Sequence, residues 1–227
     1  MYKYQIHLHT SPCSKCGAMS PEELCRALKE NGYQGAVLTN HFLHGNTGIE
    51  RSLPWQEFVR AYENDYIACQ EAAKEYDLDI LFGIEEVVIP GLEILCYGIT
   101  PSVLYNNPQL QNCSIDEWTK IMRQNGVVLI QAHPFRTADY IPNPGPLPIE
   151  YYDGVEVYNK GNGSDEMNKQ AMEYAEAHSH LLRTSSADAH SCDRVPFGGI
   201  MVKNRIRTEG ELAAILKSRE YSIILPQ

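Results

Sequence analysis

The chain has 227 residues, 43% hydrophobic and 21% charged, a balance that excludes an intrinsically disordered protein and suffices for a sizeable core. Its net charge is -10 with a pI near 5.3, so a general polyanion-binding surface, and with it long nucleic acid as a partner, is not expected. No apolar run approaches the ~18 residues needed to span a bilayer, which argues against a membrane partner.

The start, Met1-Tyr2-Lys3-Tyr4, lacks the apolar stretch of a signal peptide. Seven cysteines, an odd number, are scattered along the chain and fit free thiols in a reducing cytoplasm. Residues 2–6 read as a strand that runs into His7-Leu8-His9. In extended backbone, alternate side chains share a side, so both imidazoles face one point with Leu8 opposite. Ser20-Pro21-Glu22-Glu23 opens a helix that Gly32 ends. Gly35–Thr39 is the next strand and leads to Asn40-His41. Residues 42–54 are polar and glycine-bearing, a loop, and a long helix covers about Trp55 to Tyr76. Asp79–Ile84 is a buried strand ending on Glu85 and Glu86, and Leu92–Tyr97 is another.

Ser114-x-x-Glu117 repeats the capping pattern before a helix to Asn125. Val127–Gln131 runs into Ala132-His133-Pro134. Residues 136–150, rich in proline, read as a lid or surface loop. Gly154–Tyr158 is a strand, Ser164–His178 a helix, and Leu181–Ser185 a strand leading to Asp188-Ala189-His190. A strand near 199–202 and a helix capped by Thr208 and Glu211 follow, and Tyr221 to Leu225 closes the chain. Strand and helix alternate without a linker, which predicts one α/β domain over 1–227 with a mainly parallel sheet. Candidate ligands stand beyond at least five strand ends: His7 and His9, His41, Glu85, His133, Asp188 and His190. A closed barrel would gather these ends into one ring, whereas an open sheet would spread them along an edge.

Imidazole and carboxylate together suit zinc, manganese or iron. Glu85 ends a very apolar strand, where an unpaired carboxylate is costly and a cation would resolve the cost. A carboxylate bridging two cations makes a site that activates water near neutral pH and clamps the oxygens of a displacement at phosphorus. Arg136, Arg194 and Lys160 are candidate phosphate partners. Asp188 and His190 are candidates for proton transfer.

The segments His7-Leu-His9-Thr10, Thr39-Asn-His41, Gly83-Ile-Glu85, Ala132-His133-Pro134 and Ser186-Ala-Asp188-Ala-His190 together resemble the PHP (polymerase and histidinol phosphatase) family of metal-dependent phosphoesterases. The resemblance implies a distorted seven-stranded β/α barrel, TIM-like, with two or three divalent metal ions (zinc, manganese or iron). It implies that His7, His9, Glu85 and Asp188 hold one metal. Glu85 would bridge to a second with His133 and Glu93, and His41 and His190 would serve a third. The implied activity is hydrolysis of a small phosphorylated substrate. The alternatives are a phosphodiesterase or nuclease on short nucleotides, a protein-tyrosine phosphatase of the capsule-synthesis type, and a catalytically silent metal-binding regulatory module.

Two departures from the family pattern stand out. Ser11-Pro12-Cys13-Ser14-Lys15-Cys16-Gly17 offers no histidine or carboxylate where relatives place a third-metal ligand. That site is then either short of a ligand or completed by a cysteine. Cys13-x-x-Cys16 has no second pair to make a zinc knuckle. Asn40 stands where relatives usually have aspartate, which removes a carboxylate neighbour of His41. Glu156 matches a family segment as a supporting or substrate-facing residue. His44, His178 and His180 fall outside the pattern, the last two as surface residues near a helix C-terminus.

Overall fold

A computed structural model of the chain describes residues 1–226. Local signals in the chain explain its helix ends. Ser20, Ser114 and Thr208 each form a capping box with the glutamate three residues on. They open α1 (Pro21–Glu30), α4 (Ile115–Gln124) and α6 (Glu209–Ser218). Three further helices are α2 (Trp55–Ala73, extended by a 3-10 turn to Tyr76), α3 (Pro101–Asn106) and α5 (Asp165–Ala177). The α3 turn, started by Pro101 in its first position, is not among the elements that the sequence predicts.

The strands are β1 (Tyr2–Gln5), β2 (Gly35–Leu38), β3 (Asp79–Ile89), β4 (Leu92–Tyr97), β5 (Val128–Gln131), β6 (Gly154–Asn159), β7 (Leu182–Ser186), β8 (Ile200–Val202) and β9 (Tyr221–Ile223). They form one sheet in the order β7-β6-β5-β4-β3-β2-β1-β8-β9. The sheet curls almost closed. Beyond β1 and β7 the chain ends meet through a parallel bridge between Leu8 and Ala189, with His9 N donating to Ala189 O at 2.8 Å and Ala189 N to His7 O at 3.2 Å. The result is a mixed α/β, barrel-like fold.

Two expectations need correction. The sheet has nine strands, not seven, because β8 and β9 add antiparallel to the far side of β1. It is not mainly parallel either: β3–β4, β4–β5, β1–β8 and β8–β9 are antiparallel. The cause at β4 is local. Pro90-Gly91, with Gly91 at φ +80°, turns β3 straight back as a hairpin where a parallel connection would need a crossover. The strand β3 is also longer than expected, continuing past Glu85 to Ile89.

Alternation along the strands sorts the side chains. Val37, Leu81, Leu95, Tyr97, Val128, Ile130 and Leu182 share the barrel interior with Tyr4 and Ile6. Their neighbours Ala36, Leu38, Ile80, Phe82, Ile94, Cys96 and Leu129 face the surrounding helices. Leu212, Ala213 and Leu216 of α6 join the interior group and plug one end of the barrel. The other end is the mouth. Residues 136–150 hold no regular element before Ile149, yet they are packed down: Ile141 and Leu147 are buried, and Gln131 bonds Gly145 O and Leu147 N through its side chain. No helix among the described residues is long and apolar enough to cross a membrane.

The plug sets a tight tolerance at Gly98. Its φ is +84°, and a Cβ there would sit 2.6 Å from Ala213 Cβ. Gly98→Ala is expected to destabilise the fold by about 2–4 kcal/mol, combining left-handed strain with overpacking. Thermal unfolding checks this.

Candidate metal centre

The mouth collects polar groups on the same interior parity that is apolar lower down. Leu81 is followed, four residues on, by Glu85; Val37 by His41; and Leu182, six on, by Asp188. Glu93 joins from the start of β4, because the antiparallel turn brings that end of β4 beside the end of β3. Two residues reach the mouth by breaking parity. The chain bends at His7, directly after the interior Ile6, and His133 follows interior Ala132 with φ +28°. Asp188 is also left-handed, at φ +49°. Such backbone costs energy and persists where its surroundings hold it.

Glu85 is the centre, with 1% of its surface exposed. Four imidazoles surround its carboxylate. His7 Nε2 lies 3.0 Å and His133 Nε2 3.5 Å from Oε1, while His41 Nδ1 lies 2.9 Å and His9 Nε2 3.4 Å from Oε2. Despite these distances neither oxygen, nor His41 Nδ1, has a hydrogen-bond partner of acceptable geometry. Asp188 Oδ1 lies 3.4 Å from His7 Nε2 and 3.3 Å from His9 Nε2. Glu93 lies 3.4 Å from His41 Nδ1 and 3.2 Å from His133 Nε2.

Misaligned donors and acceptors at these separations are poor hydrogen bonds but good ligand sets. Bonds of ~2.0–2.1 Å to a tetrahedral ion place neighbouring ligand atoms about 3.3 Å apart. The groups His7–His9–Glu85, His41–Glu85–Glu93 and His9–His41–His190 each bring their donor atoms within 4.8 Å of one another. The residues therefore fit divalent cations, and Glu85 is shared between two of the sets.

Electrostatics point the same way. Burial opposes charge at Glu85, Asp188, His7 and His41, and the partners overcome it. Glu85 and Asp188 are held well below the usual carboxylate range against burial, chiefly by His7, with His41 next at Glu85 and Arg136 next at Asp188. His7 is raised against burial by Glu156, Asp188 and Glu85, and His41 is raised to about 11 by Glu85. His9 moves the other way, to about 3, through burial and the neighbouring His41 charge. Cys16 is pushed down to about 6, since contacts with His190 and His41 outweigh its burial.

A ring of supports stands behind the donors. Glu156 accepts from His7 Nδ1 at 3.0 Å, from His133 N at 2.9 Å, from Asn159 Nδ2 at 2.8 Å and from Ser186 Oγ. It thus orients one imidazole and pins the strained backbone of another, and has no contact with substrate space. Arg136 donates to Asp188 Oδ2 at 2.5 Å, Asn159 Oδ1 at 3.0 Å and Asn162 Oδ1 at 3.2 Å. Gly161 makes room for this contact, as a Cβ would lie 2.7 Å from Asp188 Oδ2 and 2.8 Å from Arg136 Nη2.

The structure brings together His7, His9, His41, Glu85, Glu93, His133, Asp188 and His190, with Arg136 beside them. It does not bring Arg194. That side chain is exposed, 3.7 Å from Asp193 and bonded to Lys160 O at 3.5 Å. Lys160 is also turned away, with Nζ over the Phe197 ring at 4.6 Å. The 3-10 turn Cys192–Arg194 rotates the arginine outward, a local geometry that spacing from His190 does not reveal. His44 lies at the rim against Glu86, 3.3 Å away, and His178 bonds Tyr174 O at the end of α5.

Asn40 explains its own departure from aspartate. Its Nδ2 donates to Asp65 Oδ2 at 2.9 Å and to Thr10 Oγ1 at 2.8 Å, while its Oδ1 accepts from Thr10 N and Ser14 Oγ, each at 2.8 Å. Only an amide can serve both sides. Asn40→Asp would set a second carboxylate against buried Asp65, whose own value burial already raises. The variant is expected to lose about 3–5 kcal/mol at neutral pH. Because the raised carboxyl takes up its proton in the folded state before the unfolded one does, the loss relative to wild type is full above the raised value. It shrinks as pH falls through that value. Thermal melts across pH test both the size and the sign.

A model of the PHP domain family matches residues 5–192. No curated protein sequence matches the chain. Among solved structures, a two-domain protein from Bacteroides vulgatus containing a predicted PHP-like metal-dependent phosphoesterase is similar at 14% identity, with a TM-score of 0.69. The match covers 99% of this chain and 64% of that one, so the chain spans less than two thirds of that relative. A protein from Bifidobacterium adolescentis proposed to be a metal-dependent phosphoesterase is 17% identical, with a TM-score of 0.56 and coverage of 95% and 96%. A lesion-specific endonuclease from Pyrococcus furiosus is 13% identical, with a TM-score of 0.62 and coverage of 98% and 57%. At these identities the structures speak for a shared fold. The family match, running from β1 through the segment that bears Asp188 and His190, says more: the chain belongs to the PHP domain family.

Proposed function

We propose that this chain is a metal-dependent hydrolase of small phosphate monoesters, working at a di- or trinuclear centre. The observation that carries the reading is the Glu85 carboxylate, buried among four imidazoles with no hydrogen bond to either oxygen. His7, His9, Glu85 and Asp188 would hold one cation, and Glu85, Glu93 and His133 a second. Bound there, divalent cations supply water activation and neutralise charge at phosphorus.

The chain's own residues supply the rest. Arg136 stands at the mouth with its guanidinium oriented by Asn159 and Asn162, suited to a phosphate oxygen. His190, at the rim, is half-buried with Nδ1 bonded to Asp188 O at 2.9 Å, which fixes the ring and leaves its other nitrogen for a third cation. The cavity above the centre has a volume of about 870 Å³, in the range of small-molecule sites. Its far wall is apolar, with Val88 and Ile89 of the hairpin facing Leu110, Ile115 and Trp118. Arg136 is the single arginine or lysine among the described lining residues. A polynucleotide track would need many. These features favour an ester whose organic part is small and partly apolar.

Nitrophenyl phosphate and its bis-ester separate the readings. The expected result is faster hydrolysis of the monoester, abolished by a chelator and restored by manganese or zinc. Preference for the bis-ester would instead favour a phosphodiesterase. Full cation loading with no hydrolysis of either ester, of a phosphotyrosine peptide or of a panel of phosphometabolites would leave a silent binding module. Within the same assay, Glu156→Gln is expected to weaken cation affinity about 10–100-fold through loss of His7 orientation, read by titration against a competing chelator.

A further inference from the structure

The segment between β1 and α1 carries Cys16 to the rim of the mouth, and the reading above makes no use of it. Two backbone bonds hold this segment from opposite sides. Lys15 N donates to Asn46 O at 3.0 Å, in the loop after His41, and Ala18 N donates to His190 O at 2.8 Å. Gly17 packs so closely on the end of the first strand segment that a Cβ would lie 2.6 Å from Thr10 C and O. Cys16 is therefore fixed between the two loops that carry His41 and His190. Its side chain lines the same cavity as both imidazoles.

A second, independent observation marks the same place. His9 stacks on His41 and on His190, with ring centroids 4.3 Å apart in both cases. The three rings each offer a nitrogen, and these nitrogens lie within 4.8 Å of one another. His41 is only 8% exposed, and its Nδ1 has no hydrogen-bond partner. This set of three donors contains no anionic group, and a thiolate would add one. Cys13 does not compete for the role. It is 1% exposed and packs in the apolar cluster with Phe42, Trp55 and Phe58.

We propose that Cys16 ligates, through its sulfur, a cation held together with His41 and His190, giving the centre one sulfur-bearing position beside the nitrogen and oxygen positions built on Glu85. On binding, the S–H proton leaves to solvent and the sulfur lone pair bonds the ion. Thiolate with imidazole favours zinc, iron or cobalt over manganese or magnesium at that position. The proposal rests on the reading that the mouth binds cations.

The test uses the full chain, stripped with a chelator and loaded with cobalt(II). The expected spectrum contains a sulfur-to-cobalt charge-transfer band in the near ultraviolet. Cys16→Ser loses the band and one equivalent of metal while keeping the remainder, and Cys113→Ser, altered on the far wall of the cavity, keeps it. In the unaltered chain, bound cobalt also protects Cys16 from alkylation, mapped by peptide mass, which gives a readout independent of any variant. Cobalt loading without the band, or a band that survives in Cys16→Ser, overturns the role of Cys16 and leaves the Glu85 centre standing. No retained cobalt at all overturns both.

Discussion

Everything at the mouth depends on one buried negative charge. Glu85 lies at the end of an apolar strand, shielded from water, with its two oxygens turned to two different pairs of imidazoles. Left alone, such a carboxylate would oppose folding. In this chain the surrounding protons carried by His7 and His41 offset it, and the same geometry accepts cations in their place. The supports around it are arranged accordingly. Glu156 fixes His7 from behind, Arg136 fixes Asp188 from the side, and the Asn40–Asp65 pair fixes the backbone between His9 and His41 without adding charge to the centre.

Much of this was legible in the residues because strands have a period of two. The spacing His7-x-His9 put two imidazoles on one face and Leu8 on the other, and Leu8 indeed packs outward with Leu38 and Ala36. The same parity carries from Leu81 to Glu85 and from Leu182 to Asp188. What periodicity could not supply was direction and local handedness. Glu93 reaches the centre only because β4 runs antiparallel to β3, and a strand's direction is not written in its hydrophobic pattern. His133 needs a left-handed backbone to turn inward after Ala132, and Arg194 is turned outward by a short 3-10 turn. The strand patterning itself reads eight strands, and the sheet adds β9 at Tyr221–Ile223, a segment left without an assigned element; the count of seven came from the family resemblance.

Polar burial is the common thread of the residues around the centre. Asn40 and Glu156 are each close to fully hydrogen-bonded, and each joins segments distant in the chain. A network so nearly satisfied rigidifies a site, and leaves little slack for substitution. Against it, the unpaired oxygens of Glu85 stand out as the place where bonding capacity is held open.

The β3–β4 hairpin combines two duties in one ribbon. It presents Glu85 on one strand and Glu93 on the other, and from Val87, which pairs with Glu93, to Gly91 it walls the cavity. A wall and a ligand frame cast as one piece cannot be retuned separately: reshaping the tip to admit a bulkier molecule would tilt Glu93 relative to Glu85. Diversification of what enters the cavity is therefore freer on the opposite bank, where Leu110, Ile115 and Trp118 sit on turns and a helix that carry no ligand. In this chain the route to a new substrate runs through the far side of the cleft, and the hairpin is the side that must stay as it is.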